Sequence, residues 1–266
     1  MQFWKMQGAG NDFILIDRLP DDPAQAARTL CDRRFGIGAD GMIAALPSDK
    51  ADACMRFYNC DGSEAEMCGN GIRCLARYLY ERKICPKTDM SIDTRCGVKY
   101  LHLDGENVTV DMGEPILEPE KIPVLSSVNE ITLNVEGLPL HFYCVSMGNP
   151  HAVTFTDYPE REVFLRIGPA LEHDPIFPAY ANIEFARVNG DGSIDMRVWE
   201  RGAGETLACG TGACATLVAG VMTGRCKREA LLHLPGGDLF IRWGKDNHIR
   251  MTGRACLSFI GETQLV

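Results

Sequence analysis

Two cysteines stand in the same short setting. Cys68 opens Cys68-Gly69-Asn70-Gly71 and Cys209 opens Cys209-Gly210-Thr211-Gly212, each running straight into a helix-like stretch. The first turn of a helix carries N–H groups without intrahelical partners and the positive end of the macrodipole. A cysteine there ionises more readily, the amides form a carboxylate site, and glycine lets the backbone approach the bound group closely. A thiolate and a thiol flanking one substrate can remove a proton from a carbon and replace it on the opposite face, then exchange roles for the reverse reaction. Amides aimed at the adjoining carboxylate would stabilise the carbanion-like transition state. A lone cysteine of this kind is more often an inert buried residue. A matched pair points to inversion of a C–H centre.

The pair belongs to a longer internal repeat. Shifting the chain by 141 residues aligns MRFYNCDGSEAEMCGNG (Met55–Gly71) with MRVWERGAGETLACGTG (Met196–Gly212). Met55/Met196, Arg56/Arg197, Glu64/Glu205, Cys68/Cys209, Gly69/Gly210 and Gly71/Gly212 are identical pairs, and Gly10-Asn11 is echoed by Gly148-Asn149. The elements that must hold these loops are short strands at Phe13–Asp17, Cys54–Tyr58, Val98–Leu103, Val108–Met112, His141–Val145, Ile183–Val188, Ile194–Trp199, Leu239–Trp243 and Ile249–Thr252. Asp104-Gly105 and Gly190-Asp191-Gly192 read as hairpin turns. Helices are expected at Pro23–Arg34, Gly71–Arg82 and Gly212–Thr223, the last apolar almost all round and therefore central to its domain. Many hairpin-spaced strands with few helices give an α+β fold, not a doubly wound parallel sheet. The Pro/Glu-rich stretch Gly113–Pro123 reads as a linker.

Composition narrows the setting. With 266 residues, 45% hydrophobic and 24% charged, the chain can bury a real core. A net charge of -9 removes any broad drive toward nucleic acid or anionic membrane. Twelve cysteines fall well short of a disulfide scaffold, the N-terminus has no signal-peptide core, and no apolar run spans a membrane. A cytoplasmic protein with reduced thiols is expected. A metal reading is weaker, because metal sites usually show paired C-x₂₋₄-C motifs, whereas Cys60, Cys68 and Cys74 are separated by seven and five residues and Cys209 and Cys214 form a lone pair separated by four. Gly36-Ile37-Gly38-Ala39-Asp40-Gly41 spells a dinucleotide fingerprint but follows a helix and leads into a strand, the reverse of what that site needs.

On these residues the chain resembles the diaminopimelate epimerase family. The matching stretches are Lys5–Phe13 (KMQGAGNDF), Gly36–Gly41, Asn59–Gly71, Met112–Pro115, Val145–His151 (VSMGNPH), Glu200–Ala213 (ERGAGETLACGTGA), Leu234–Gly237 and Met251–Gly253. The double Cys-Gly-x-Gly is shared with proline racemase-like proteins, whereas GNDF and ERGAGET are more specific. The resemblance implies two pseudo-symmetric domains, each a curved, mostly antiparallel sheet around a central helix, with the active site in the cleft between them. It implies domains of 1–113 plus 254–266 and of 114–253, each with one Cys loop.

It further implies that Cys68 and Cys209 are the acid/base pair and that Gly69, Asn70, Gly210 and Thr211 bind the reacting α-carboxylate. Asn11, Asn59, Asn149, Asn182, Glu200 and Arg201 would grip the distal amino-acid end, a sensible set for a carboxylate and an ammonium. His151 and Glu205 would orient or tune the thiols. The implied reaction converts LL-2,6-diaminopimelate to the meso form without cofactor or metal, in a homodimer with no nucleic-acid or membrane partner. Two departures stand out: Gly41 occupies a position where family members can carry a ligand-binding Gln, and Ala152 one where a Cys can occur. The rivals are an epimerase for another amino acid, which would lack the Asn11/Asn59/Arg201 grip, and a redox or metal-binding thiol protein, indifferent to Asn59 and Arg201.

Overall fold

A computed structural model describes residues 1–156 and 160–264. They form two compact units: Met1–Asp111 with the chain from Thr252 onward, and Met112–Met251.

In the first unit, strand Gln2–Gly8 turns at Ala9-Gly10, both in the left-handed region at φ 51 and 82, and returns antiparallel as Asn11–Ile16. Helix α1 (Pro23–Cys31) crosses over to Gly41–Leu46, which lies parallel to Asn11–Ile16. Ala53–Asn59 follows antiparallel, then the short Glu64–Ala65 and helix α2 (Gly69–Glu81). Asp89–Thr94 pairs parallel with Ala53–Asn59 and starts a meander through Gly97–Asp104 into Asn107–Gly113. Cys256–Glu262 adds antiparallel to the free side of Gln2–Gly8. Helix α2 packs on the strands at 2–8, 11–16 and 41–46 through Ile72, Leu75, Ala76 and Leu79, a stripe at helical spacing.

The second unit repeats that order. Glu130–Val135, Leu138–Ser146 and Pro150–Phe155 run antiparallel, and helix α3 (Arg161–Glu172) crosses to Asn182–Val188, parallel to Pro150–Phe155. Ile194–Glu200 and Gly204–Thr206 follow, then helix α4 (Gly210–Met222). Glu229–Leu234, parallel to Ile194–Glu200, leads through Gly237–Trp243 to Ile249–Arg254. Ten residues of α4 are buried, as its all-round apolar sequence demands. No described helix is long and apolar enough to cross a membrane. The fold is α+β, with few helices on a large, mostly antiparallel sheet system.

Local differences from the sequence reading have local causes. Helices α2 and α4 begin two residues earlier than expected, at Gly69 and Gly210, so each cysteine is itself the N-cap. Helix α1 stops at Cys31 rather than Arg34, because Asp32 takes an extended ψ of 122 and its carboxylate accepts from the N–H of Arg34 and Phe35. Helix α3 was not expected, since Gly168-Pro169 interrupts its pattern. The glycine is needed there: a Cβ would lie 2.5 Å from the Trp199 ring. The stretch read as a linker is docked on the second unit, with Ile116 and Ser146 exchanging backbone hydrogen bonds of 2.9 and 3.0 Å and Ile122 buried. The hairpin turn falls on Gly105-Glu106, one residue on, because Asp104 pairs with Asn107.

Candidate active site

In the first unit Cys68 has an extended backbone and accepts the first intrahelical bond of α2, from Ile72 N–H to its carbonyl at 2.8 Å. The N–H groups of the turn that follows therefore face outward from the helix end. Asn70, nearly fully buried, donates from Nδ2 to Asn11 Oδ1 at 2.8 Å and accepts at Oδ1 from Arg73 at 2.9 Å. Asn11 in turn donates to Asp40 at 2.8 Å, and Asp40 binds Arg33 at 2.8 Å. Arg33 and the buried Lys5 both pair with Asp12 at 2.7 Å and hold its carboxyl down at about 2, against the upward push of burial. This scaffold of fixed charges keeps Asn11 and Asn70 in one orientation. Asn59 lies opposite Gly41 on the neighbouring strand and donates to Ser63 Oγ at 3.0 Å. A Cβ at Gly41 would lie 2.4 Å from the Phe57 ring and 2.7 Å from the Tyr58 carbonyl, so packing excludes a side chain there.

The second unit presents the same frame with different chemistry. Cys209 caps α4, accepting at Sγ from Gly212 N–H at 3.4 Å, and its sulfur lies 3.5 Å from Thr211 Oγ1. Asn149 donates to Thr211 Oγ1 at 3.3 Å, the counterpart of the Asn11–Asn70 link. Its Oδ1 lies 3.0 Å from Nε2 of His151, whose Nδ1 lies 2.7 Å from Glu184 Oε1, with both His151 and Glu184 completely buried. Burial, then the charges of Glu200 and Glu184, push the Cys209 thiol well above its ordinary range, outweighing the opposing hydrogen bonds from Thr211 and Gly212. Glu200 is itself pushed up by burial, partly offset by hydrogen bonds from Thr206 and from the Cys209 thiol and by the charge of His151. Burial and these neighbouring carboxylates thus favour the protonated form of Cys209.

The remaining expected residues divide by environment. Asn182 is buried and bridges backbone groups, donating to Pro150 O at 2.8 Å and accepting from Arg201 N–H at 3.0 Å. It orients the Glu200-Arg201 turn. Arg201 is exposed, with one guanidinium nitrogen on Ala179 O at 3.0 Å. Glu205 is committed to Arg197 at 2.6 Å and Arg161 at 3.4 Å, and Glu64 makes the same pair with Arg56 in the first unit. This repeated clamp ties strand to loop. The two residues that sequence reasoning passed over are Arg73 and Glu184, both fully buried. A signal existed for the second: Ala181-Asn182-Ile183-Glu184-Phe185-Ala186 sets a carboxylate inside an otherwise apolar strand, and buried charges are rare enough to be informative.

The family model described as diaminopimelate epimerase matches residues 3–118 and 143–257. The diaminopimelate epimerase of Desulfitobacterium hafniense is 52% identical over 98% of the chain and 97% of its own length. That of Methanococcus maripaludis is 48% identical over all of both chains. Among solved structures, a probable proline racemase from Agrobacterium radiobacter, with bound carbonate, superposes with a TM-score of 0.74. At 15% identity over 100% of this chain and 93% of that one, it shares the fold.

Proposed function

The chain belongs to the diaminopimelate epimerase family, and from that premise we propose that it converts LL-2,6-diaminopimelate to the meso form by a two-thiol mechanism that needs no cofactor. The observation that carries the reading is a cysteine at the N-cap of the central helix in each repeated unit. In the forward direction Cys68 is the base: its thiolate takes the α-proton, and the Cys209 S–H delivers its own proton to the opposite face of the same carbon. One C–H bond breaks and one forms, and the two sulfurs end with their protonation exchanged. The return direction reverses the roles.

Charge accumulates on the α-carboxylate in the transition state, and the N–H groups opening α2 and α4, with Thr211 Oγ1, are suited to receive it. Glu200, which accepts from the Cys209 thiol, helps that sulfur regain a proton after turnover. At the distal end Arg201 would take the second carboxylate bidentately, while Asn11, Asn59 and Asn149 would take the ammonium and the remaining carboxylate oxygen. A homodimer working in the cytoplasm accompanies this reading through the family resemblance, and light scattering checks the assembly.

The test is incubation of reduced protein with LL-diaminopimelate in D₂O, following stereochemistry and α-deuterium together. Deuterium should enter at the epimerised centre at a rate matching meso formation. No exchange would sink the epimerase reading, and exchange undiminished in Cys68→Ala would sink the two-thiol mechanism. Epimerisation of proline in place of diaminopimelate would favour the rival amino-acid racemase.

A further inference from the structure

The repeat supplies an internal control for the buried carboxylate beneath the second loop. Gly71 and Gly212 are equivalent, and each is backed by a side chain from the equivalent strand. A Cβ at Gly71 would lie 2.8 Å from the Ile43 methyl, whereas a Cβ at Gly212 would lie 2.7 Å from Glu184 Oε1. The pairings agree: Ile43 is opposite Phe57 and Glu184 opposite Val198, each pair 141 positions from its counterpart. His151 likewise replaces Phe13, since Phe13 pairs parallel with Gly41 as His151 does with Asn182. One unit thus has an apolar Ile/Phe pair where the other has a fully buried Glu/His pair. Folding alone is served by the apolar pair, so the charged one needs another explanation.

The partners of the ring follow from geometry. With Asn149 donating its amide N–H to Thr211, its Oδ1 faces His151 Nε2, and Glu184 Oε1 faces Nδ1. Both ring nitrogens therefore face oxygen atoms that can accept. An imidazolium there would neutralise the buried Glu184 carboxylate, whose Oε2 lacks a hydrogen-bond partner. From this pair the chain Glu184–His151–Asn149–Thr211–Cys209 is continuous, at 2.7, 3.0, 3.3 and 3.5 Å. The other ionisable groups near it are Glu200 and the buried Cys144 thiol on the neighbouring strand.

We infer that Glu184 is a positioning residue for the second thiol: it keeps the His151 ring doubly protonated and fixed, and through Asn149 and Thr211 it fixes the loop that carries Cys209. The inference rests on the epimerase reading for its effect on rate but not for its effect on the ring.

Glu184→Gln keeps the size of the side chain and removes its charge. Nitrogen-15 NMR of histidine-labelled protein, with His151→Gln to assign the resonance, should give protons on both ring nitrogens in the wild type at neutral pH and one bare nitrogen in Glu184→Gln. The kcat should fall on the order of 10- to 100-fold, the scale expected when an acid–base site loses an orienting partner. KM should move less than kcat, because Glu184 itself touches no substrate group. The double variant Glu184→Gln/His151→Gln should be no slower than the slower single variant. Identical ring protonation in wild type and Glu184→Gln, or wild-type kcat in that variant, overturns the inference. If Glu184→Gln does not fold, Glu184→Asp serves: a retained imidazolium with lowered kcat supports the role, and an unchanged kcat overturns it. Wild-type protein that exchanges no α-hydrogen would sink the epimerase reading, while the ring measurement would still decide independently whether Glu184 holds His151 doubly protonated.

Discussion

Cys68 and Cys209 hold the same place in two copies of one unit, yet they sit over opposite chemistry. Beneath the Cys68 loop lies Ile43, with Phe13 at the strand position equivalent to His151 and the buried cation Arg73 one turn into the helix. Beneath Cys209 lie Glu184 and His151, with Glu200 beside the sulfur and the uncharged Cys214 at the position of Arg73. The asparagine link to the loop, the Arg–Glu clamp and the order of parallel and antiparallel pairs are common to both. What builds the loop was kept in duplicate, and what sets charge around the sulfur was not. A reaction that draws a proton to one sulfur and sends one from the other gains from such asymmetry, because two identical thiols would rest in the same state.

The comparison breaks most severely if either sulfur is removed. Cys68→Ala and Cys209→Ala should each lower kcat/KM by roughly a thousand-fold or more, since each deletes one of two proton-transfer groups. A variant retaining a tenth of wild-type activity would mean that its sulfur is dispensable. Next in size is the swap of buried residues: Ile43→Glu puts a carboxylate where no imidazole waits. It should cost about 3–5 kcal/mol, or roughly 10 °C in melting temperature. Calorimetry showing no loss would mean that the first unit can pair that charge after all.

A smaller effect sharpens the electrostatic half of the comparison. Cys209 is buried and its thiol is pushed up, so iodoacetamide at pH 8 should label the more accessible Cys68 before Cys209. Labelling of Cys209 should then rise about 10-fold per pH unit as its thiolate fraction grows. Glu200→Gln removes a negative charge beside the sulfur, lowers the thiol's pKa and should speed that labelling about 3- to 10-fold at fixed pH. Slower labelling would contradict the sign. Smallest of all, Glu64→Gln and Glu205→Gln should each cost about 0.5–1 kcal/mol, because both clamps are partly exposed. A drop in kcat confined to Glu205→Gln would show that Glu205 acts on the thiol beyond its clamp.

Gln2–Gly8 and Pro150–Phe155 were not expected as strands, whereas Asn11–Ile16, Ala53–Asn59, Asn182–Val188 and Ile194–Glu200 were legible because both their faces, or one face in alternation, are apolar. Asp89–Thr94 and Glu229–Leu234 were not, since DMSIDT is too polar and EALLHL reads equally well as a helix. Their extended state comes from pairing with Gly97–Asp104 and Gly237–Trp243. Helix α3 escaped through its Gly-Pro step, although the repeat offered a signal, because α1 stands at the equivalent crossover.

The sequence by itself determined the duplication, the two cysteines within it and the helix that follows each, because these depend on residues a few positions apart. Tertiary structure alone decided what lies beneath each cap. His151 and Glu184 are 33 residues apart, share no motif, and meet because two strands pair in parallel with His151 opposite Asn182. That register buries a carboxylate and an imidazole in contact at one cysteine, and an isoleucine and a phenylalanine at the other. Whether a charge is solvated or buried is set by strand register across the sheet, which no local stretch of sequence encodes.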